Sequence, residues 1–492
     1  MSLKQKAIKG VKWTSISTIS IVILQVLQLI VLGRIFDSTV FGLMGMVLVV
    51  IGFADMFVDM GISNAIIQSQ QISKKELSSL YWLNILSGAL IAILIWISAP
   101  LIVHLFREPR LSNLINLTAL MFIITPIGQQ YRALLQKELK FNLIAVVEVL
   151  STFLGVVFSI ILGYLGFGVM SLVLGQLIIV TFRTLLLLVN GRKYYRPQRH
   201  FKLSDTKPFL SFGLYQMGES TINYFNTKID SIMLGRLLGP TALGYYTMAN
   251  NIIILPSTKI NPIITRVTFP IFSKIQNDSE RLKEGFLQLL KLVSFINFPI
   301  FFGLFITAHL FIPVIFGEKW IESVRLLQIL CGVGLLRSIG NPIGSLLMAT
   351  GKVKISFQFN VIKLFTQIPG IIFAAYTWGL IGVAITYLIL QIFYTGLSYF
   401  YLIRKVLGPC FYLYIKTFTF SLISSLIMLI TIWISEKLLH SISNVYLLII
   451  EIIIGIVVYI ICTLKSKDKV IVKLRRMVVD KIPFLKANMF HT

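Results

Sequence analysis

The feature that most constrains this chain is a series of apolar segments, each about 20 residues long, separated by short connections that are polar or contain Gly and Pro. A helix needs about 20 apolar residues to cross the roughly 30 Å hydrocarbon layer of a membrane. Backbone polar groups in lipid must be satisfied within the segment itself, which a helix achieves. The sequence therefore predicts an all-α integral membrane protein with about fourteen transmembrane helices. We place them at 13–35, 40–67, 79–103, 113–135, 142–164, 168–189, 208–235, 241–265, 287–312, 324–349, 355–377, 380–402, 412–435 and 443–464.

Composition supports this class. The chain has 492 residues, of which 56% are hydrophobic and only 13% are charged, whereas a soluble protein carries about 25% charged residues. A net charge of +26 is compatible with nucleic acid, but basic cytoplasmic loops facing anionic lipid explain it better. We therefore expect membrane lipids, and no nucleic acid, as partners. The three cysteines and five histidines show neither disulfide nor metal-ligand spacing, so no cofactor or metal is expected. Whether a proton or sodium acts as a coupling ion stays open.

The basic residues alternate along the chain. If the N-terminus is cytoplasmic, the connections on the inner side are rich in Lys and Arg, above all residues 190–207. The connections on the outer side have little net positive charge; 104–112, for example, contains Arg107, Glu108 and Arg110. This is the positive-inside pattern, and it predicts an even number of spans with both termini in the cytoplasm.

The two halves of the chain share short motifs in the same register. LGRI at 32–35 recurs as LGRL at 234–237, and TVFG at 39–42 recurs as TALG at 241–244, both 202 residues later. Such recurrence indicates an internal repeat. The predicted organisation is an N-terminal six-helix lobe (1–189), a basic cytoplasmic linker (190–207), a C-terminal six-helix lobe (208–402), two accessory helices (403–464) and a basic cytoplasmic tail (465–492).

Polar residues inside the seventh predicted helix form a stripe. Glu219, Asn223, Asn226 and Asp230 are spaced by 4, 3 and 4 residues, which places them on one helical face. A carboxylate that faces lipid costs at least about 2–3 kcal/mol, so the stripe is expected to face protein or a water-filled cavity. The alternative is a helix–helix contact in which polar side chains bond across the interface.

Other intramembrane polar groups extend this set. Arg34 and Arg236 close the first helix of each half, where they could line the cavity or act as snorkelling anchors. Glu148, Arg183 and Glu451 also interrupt apolar runs. Guanidinium groups bind phosphoryl oxygens bidentately, so an arginine-rich cavity suits a phosphate or pyrophosphate. The candidate substrate-binding residues are Glu219, Asn223, Asn226, Asp230, Gln25, Gln28, Arg34, Arg236, Arg266, Arg337 and Lys363.

No catalytic motif is present. The sequence contains neither a Walker A motif nor Gly-x-Ser-x-Gly nor His-Glu-x-x-His. Its outward connections are short, whereas membrane glycan-transferring enzymes generally carry a sizeable external loop. We therefore expect a protein that is not an enzyme.

Several segments resemble a known family, the polysaccharide-repeat exporters of the Wzx/TuaB type in the multidrug/oligosaccharidyl-lipid/polysaccharide (MOP) exporter superfamily. The matching pieces are 33–43, 53–61, 132–141, 230–239 and 242–246. The resemblance implies two six-helix lobes with two accessory helices around a cationic cavity. It also implies a flippase that moves undecaprenyl-pyrophosphate-linked oligosaccharide across the bacterial cytoplasmic membrane by alternating access. Polymerase or glycosyltransferase machinery would be a further partner.

Two other functions remain open at this point. One is a cation-coupled exporter of small molecules similar to the MATE transporters, which an excess of acidic residues in the cavity would favour. The other is a polytopic glycan-transferring enzyme, which the short outward connections disfavour.

Overall fold

The computed structural model describes residues 3–69, 71–261, 268, 271–439, 442–466, 468 and 471–472. Side chains at 3–4, 6–8, 208, 210–217, 219–220, 259–260 and 353 are not described. Within the described part of the chain the regular structure is helical, without strands. The chain packs into two compact units, the first formed from the described parts of Met1–Met248 and Lys363–Val383 and the second from those of Ala249–Ile362 and Ala384–Thr492.

The first unit contains seven complete helices and parts of two others. The complete helices are α1 (Leu3–Ile35), α2 (Ser38–Val58), α3 (Ile62–Gln68), α4 (Lys74–Phe106), α5 (Leu111–Lys137), α6 (Phe141–Tyr164) and α7 (Val169–Gly191). Helix α8 (Lys207–Leu255) continues into the second unit, and α11 (Val353–Ser398) belongs partly to each. The second unit adds α9 (Ser279–Phe316), α10 (Glu322–Ala349), α12 (Arg404–Leu407), α13 (Phe411–Leu438) and α14 (Asn444–Lys465).

Eleven of the described helical stretches are long and apolar enough to cross a membrane, which confirms the predicted all-α membrane class. Two predicted connections are very short. Helices α8 and α11 each consist of two helical segments separated at a single non-helical glycine, Gly239 (φ 81°) and Gly379 (φ 62°). Glycine adopts positive φ at little cost, so one residue is enough to break the helix. The total of fourteen spans stays a prediction.

The predicted span 40–67 is divided in the structure. Helix α2 ends at Val58, and Met60 (φ 42°) and Gly61 (φ 72°) turn the chain before α3 begins. The Asp59 carboxylate accepts hydrogen bonds from the Ser63 backbone N–H at 3.2 Å and hydroxyl at 2.6 Å. This interaction satisfies a free N–H in the first turn of α3, so the break is a capped turn.

The repeated motifs meet each other inside the first unit. A Cβ atom added to Gly42 would lie 1.7 Å from the carbonyl oxygen of Pro240, and one added to Gly244 would lie 1.7 Å from the carbonyl oxygen of Ser38. Only glycine allows backbones to approach this closely. The two contacts are exchanged by the same offset of 202 residues, so α2 and the second segment of α8 pack around a local twofold relation.

The hydroxyls of Thr39 and Thr241 lie 3.1 Å apart in the same contact, again with a separation of 202 residues. The recurring motif therefore encodes one helix–helix contact with an approximate local twofold axis. Symmetry of the complete lobes remains a prediction.

A buried hydrogen bond bridges the kink in α8. The Asp230 carboxylate, 2% exposed, accepts from the Tyr246 hydroxyl at 2.6 Å and from the Ser231 backbone N–H at 2.7 Å. Asp230 precedes Gly239 and Tyr246 follows it, so this bond joins the two segments of the helix.

The predicted linker 190–207 is held against the start of α4. The Ser78 hydroxyl lies 2.8 Å from the Tyr195 hydroxyl, and the Trp82 indole N–H donates to the Gln198 carbonyl at 2.9 Å. The Ser79 hydroxyl donates to Asp205 at 2.9 Å, and the His200 ring lies 2.9 Å from the same carboxylate. The hydrogen bond with His200, followed by that from Ser79, holds the pKa of Asp205 below its ordinary value. This segment is therefore fixed to the first unit.

The core of the second unit is formed by α9, α10, α11, the turn Tyr399–Ile403 that follows α11, and the start of α13. Phe286, Val293, Leu346 and Ile403 are fully buried in it. Lys291 of α9 pairs with Asp468, near the end of the described chain. Most of the predicted basic tail, 465–492, lies outside the described residues.

The glycine contact gives a stability prediction. Gly42→Ala forces the backbones of α2 and α8 apart, and overpacking of this kind costs about 1–3 kcal/mol. Gly340→Ala is the matched control, because no neighbouring atom lies within 4 Å of the added Cβ and alanine favours helix by about 1 kcal/mol. In thermal unfolding of the detergent-purified protein, Gly42→Ala should lower the melting temperature and Gly340→Ala should leave it unchanged or raise it. Equal melting temperatures for the two variants would contradict the close contact.

The bridge across the kink gives a second prediction. Tyr246→Phe leaves the buried Asp230 carboxylate without its hydroxyl donor, and a hydrogen bond to a charged group contributes about 1.5–3 kcal/mol. The variant should unfold at lower temperature than wild type, measured by loss of the monodisperse peak after heating. Tyr164→Phe, at a 72% exposed position, is the control and should match wild type. If Tyr246→Phe also matches it, Asp230 does not depend on this bond.

Candidate functional site

The predicted stripe of α8 does not face a single environment. Asn223 is exposed, whereas Asn226 is 8% and Asp230 is 2% exposed. The described hydrogen bonds of Asp230 are to Ser231 and Tyr246 of its own helix. The side chain of Glu219 lies outside the described residues. A substrate-binding role for the stripe therefore stays a prediction.

The candidates of the first helix and its counterpart in α8 lie in different surroundings. Gln25 is exposed and Gln28 is partly buried, while Arg34 is exposed at the end of α1. Arg236 donates a hydrogen bond to the backbone carbonyl of His104 at 2.7 Å. It therefore ties α8 to the last turn of α4.

The remaining candidates are separated between the two units. In the second unit, the Arg337 guanidinium lies over the Tyr387 ring, 5.1 Å from its centroid, and hydrogen bonds its hydroxyl. Lys363 is partly buried in the first unit, and Arg266 lies outside the described residues. A substrate-binding role for these residues therefore stays a prediction.

A different set of charged side chains does come together, inside the first unit. Arg132 of α5 donates to one carboxylate oxygen of Glu148 on α6, through Nε at 3.2 Å and through a terminal nitrogen at 2.8 Å. The Arg132 side chain is 49% exposed and that of Glu148 is 25% exposed. This ion pair is therefore partly exposed rather than sealed in the core.

Two more helices contribute to the same cluster. The Arg183 guanidinium of α7 interacts electrostatically with Arg132, Glu148 and Asp55. Asp55, on α2, is an exposed side chain whose charge also reaches Tyr224 of α8. We call these four residues, Asp55, Arg132, Glu148 and Arg183, the charged cluster.

Three aromatic side chains, Phe53, Tyr224 and Phe225, pack beside Asp55 of the charged cluster. The Tyr224 hydroxyl donates to the Val49 carbonyl of α2 at 2.5 Å, and the Phe53 ring packs 5.6 Å from that of Phe225. A Cβ added to Gly52 would meet the Tyr224 ring at 3.0 Å. The first segment of α8 is thus packed on the end of α2 that carries Asp55.

The charged cluster lies at one depth in the membrane. Its members are three to eight residues from the nearest helix ends, at Val58, Lys137, Phe141 and Gly191, which is about 5–12 Å along the axes. The ends at Lys137, Phe141 and Gly191 adjoin connections predicted to be cytoplasmic, and the short helix α3 lies between Val58 and another such connection. The charged cluster therefore belongs to the half of the membrane that this topology places towards the cytoplasm.

The chemistry of the charged cluster suits an anionic, hydrogen-bonding ligand. It contains two guanidinium groups and two carboxylates, so its formal charges balance when it is empty. Charges in an apolar span are stable only when they are paired or hydrated. Guanidinium groups bind phosphate as well as carboxylate, so the Arg132 N–H groups that donate to Glu148 Oε1 are of the kind that also binds phosphoryl oxygens.

The sequence alone marks parts of this cluster but does not join them. Glu148 and Arg183 are charges inside apolar runs, whereas Asp55 and Arg132 lie in the segments that resemble a family. The signal available for three of them was their depth, since Arg132, Glu148 and Arg183 lie three to six residues from the predicted span ends at 135, 142 and 189. Asp55 lies 12 residues from the predicted end at 67, so its place in the cluster follows from the early end of α2. Among the described residues, no group of three or more His, Cys, Asp or Glu side chains is placed to hold a metal.

Comparisons with known proteins support one family. Residues 31–325 match the family model described as "Polysaccharide biosynthesis protein". The chain is 45% identical to the lipopolysaccharide biosynthesis protein WzxC of Escherichia coli K12, over 84% of each chain. It is 36% identical to the teichuronic acid biosynthesis protein TuaB of Bacillus subtilis 168, over 80% of this chain and 81% of TuaB.

Solved structures show the same fold. The lipid II flippase MurJ in an inward closed conformation has a TM-score of 0.75 at 20% identity, covering 91% of this chain and 97% of MurJ. An inward-facing multidrug resistance transporter of the MATE family has a TM-score of 0.63 at 17% identity, covering 80% of this chain and 98% of that transporter. The predicted resemblance to the family that includes WzxC and TuaB is confirmed. The chain is a multi-pass membrane protein that belongs to the polysaccharide biosynthesis protein family, with the helical fold of the MurJ and MATE transporters.

Proposed function

We propose that this protein is a flippase that translocates undecaprenyl-pyrophosphate-linked oligosaccharide repeat units across the bacterial cytoplasmic membrane for cell-surface polysaccharide biosynthesis. Its substrate would have an apolar tail, a charged linker and a large polar head. The linker and head cannot cross about 30 Å of hydrocarbon unaided. A polar passage in the protein would shelter them while the tail remains in lipid.

The names of the relatives support transport of surface glycan precursors. WzxC and TuaB are named for the synthesis of lipopolysaccharide and teichuronic acid, and the more distant relative ExoT is named a succinoglycan biosynthesis transport protein. MurJ, which shares the fold, is named for flipping lipid II, a lipid-linked precursor. The protein would act without changing covalent bonds in the glycan.

The observation that carries the proposal is the charged cluster. An arginine that is half exposed within an apolar helix, paired with a carboxylate that a phosphoryl group can replace, fits a lipid-linked pyrophosphate entering from the cytoplasmic leaflet. Arg132 and Arg183 would bind the phosphoryl oxygens, and Glu148 and Asp55 would neutralise the arginines when the site is empty. A small cation would gain little binding free energy here, because the two carboxylates neutralise the two arginines. The arrangement therefore favours a flippase over a MATE-like exporter.

Alternating access would complete the cycle. The protein would expose its polar passage first to the cytoplasm and then to the outer face, with substrate or a coupling ion shifting two states that are close in free energy. Both termini and the basic segment 190–207 would be cytoplasmic, as the charge pattern predicts. Enzymes that assemble or polymerise the repeat units would be functional partners.

Depletion in cells tests the proposed function. Loss of the protein should cause lipid-linked repeat units to accumulate with their glycans on the cytoplasmic side, while efflux of cationic dyes stays unchanged. The measurement is the amount of lipid-linked intermediate in whole cells and in inverted vesicles. Unchanged intermediates together with reduced dye efflux would instead establish a small-molecule exporter.

Substitutions in the charged cluster test its role. Arg132→Gln should reduce translocation about 10- to 100-fold, because a hydrogen bond to a charged partner contributes about 1.5–3 kcal/mol. The measure is the rate at which glycan becomes accessible at the outer face, at matched amounts of folded protein. Arg110→Gln is the control, because it breaks the Glu108–Arg110 pair of a connection predicted to face outward and should leave the rate unchanged.

The double variant Arg132→Gln/Glu148→Gln separates substrate binding from structural pairing. If Arg132 serves only to neutralise Glu148, removing both charges should restore translocation. If Arg132 binds the phosphoryl group, the double variant should remain as slow as Arg132→Gln. Restoration of the wild-type rate would therefore remove the charged cluster from substrate binding.

A further inference from the structure

A buried acid in the second unit has no role in the site described above. Glu451 of α14 is 0% exposed, and both of its carboxylate oxygens lack a hydrogen-bond partner among the described residues. It adjoins a cavity of about 380 Å³ between α9, α13 and α14. Apart from Glu451, the cavity is lined by uncharged residues, including Pro299, Gly303, Thr307, Met428, Gly455 and Tyr459.

An ionised carboxylate in such surroundings is very costly, because it has lost water without gaining a donor or a cation. The neutral carboxylic acid avoids this cost. The hydroxyl of Tyr459, which also lines the cavity, donates to the Phe295 carbonyl at 2.8 Å. The geometry therefore favours a bound proton on Glu451 in this conformation.

A proton-sharing pair lies close to this acid. Nε2 of His309 on α9 is 2.9 Å from a carboxylate oxygen of Glu436 on α13, and the Glu436 charge reaches Glu451. Nδ1 of His309 lies 3.0 Å from the Ile306 carbonyl. A carbonyl only accepts hydrogen bonds, so Nδ1 carries a proton. The Nε2–carboxyl contact then contains one further proton, held by either the ring or the acid.

The pair connects Glu451 with one membrane face. Glu436 lies two residues from the end of α13, and Glu451 lies seven residues from the start of α14, which corresponds to about 3 Å and 10 Å of helix. His309 is 38% and Glu436 is 31% exposed. The predicted topology places these helix ends at the outer face, so a proton from outside meets Glu436 and His309 before Glu451.

The other charges on these helices are placed elsewhere. Lys437 lies over the Trp433 ring, 3.9 Å from its centroid. Lys291, Lys416 and Lys465 belong to the opposite ends of α9, α13 and α14. None of these lysines lines the cavity beside Glu451.

From this arrangement we propose that Glu451 is a proton-binding site of helix α14, which exchanges protons with the external medium through the His309–Glu436 pair. Release of the proton leaves a carboxylate that the apolar contacts of α9 and α13 disfavour, so the protonation state of Glu451 controls how α14 packs on them. Its consequence for transport rests on the proposed function, in which the site would make translocation sensitive to external pH.

The direct test is labelling with a hydrophobic carbodiimide, which reacts with protonated carboxyl groups. Full-length protein in membranes is treated at a series of pH values, and modification of the α14 peptide is quantified by mass spectrometry. Glu451 should be labelled several-fold more than the exposed Glu318, and its labelling should fall as the pH is raised. Labelling no greater than that of Glu318 would overturn the proposal, as would labelling that does not respond to pH.

Two variants separate proton exchange from a purely structural role. Glu451→Gln, which mimics the neutral acid, should remain folded and lose the label. Glu436→Gln should keep Glu451 labelled but slow the response of the labelling to a jump in external pH. An unchanged response in Glu436→Gln would overturn the assigned route.

A transport measurement then distinguishes this proposal from the proposed function. Glu451→Gln should translocate lipid-linked repeat units at a rate that no longer depends on external pH, whereas the wild-type rate should depend on it. Equal pH dependence in both proteins would overturn the link between Glu451 and transport. Absence of translocation by wild-type protein that is still labelled at Glu451 would instead contradict the proposed function alone.

Discussion

The structure depends on one constraint, which is that every charge within a membrane span must be paired, neutral or hydrated. Each described intramembrane charge meets it differently. Asp230 is held by the Tyr246 hydroxyl, and Arg337 lies on the Tyr387 ring. Arg132 has a carboxylate partner and is about half exposed. The exposed guanidinium of Arg132 remains available to a ligand. The charged cluster is therefore a better candidate site than the buried Asp230.

Close backbone packing provides the framework for these charges. The pairs Gly42–Pro240 and Gly244–Ser38 hold α2 against α8, and Arg236 ties the same helix to the end of α4. These contacts fix the position of the Tyr224 side chain beside Asp55. The short motifs LGR and TxxG thus determine the position of a polar surface that contains none of their own residues.

Much of the fold could be predicted from the sequence, because segment length and hydropathy report directly on spans. The breaks within them were harder to predict. Asp59, Met60 and Gly61 end α2 early since one capped turn is enough, and Gly239 kinks α8 without a loop. These events depend on single residues that the average over a 20-residue window does not detect.

The candidate site was less predictable. Helical periodicity grouped Asp230 with Asn223 on one face, but the kink at Gly239 brings Tyr246 back to Asp230 and gives that carboxylate a partner 16 residues away. The charged cluster joins residues from four helices, whose mutual rotation a single sequence does not specify. The cavity beside Glu451 likewise depends on which faces of α9 and α13 meet α14.

The central claim is tested most directly by reconstitution. Purified protein in liposomes containing undecaprenyl-pyrophosphate-linked oligosaccharide would be assayed for the rate at which the glycan becomes accessible to an external glycosidase. The account predicts that protein-containing liposomes expose the glycan originally enclosed inside, faster than protein-free liposomes do. Equal rates with and without folded protein, under any imposed ion gradient, would contradict it.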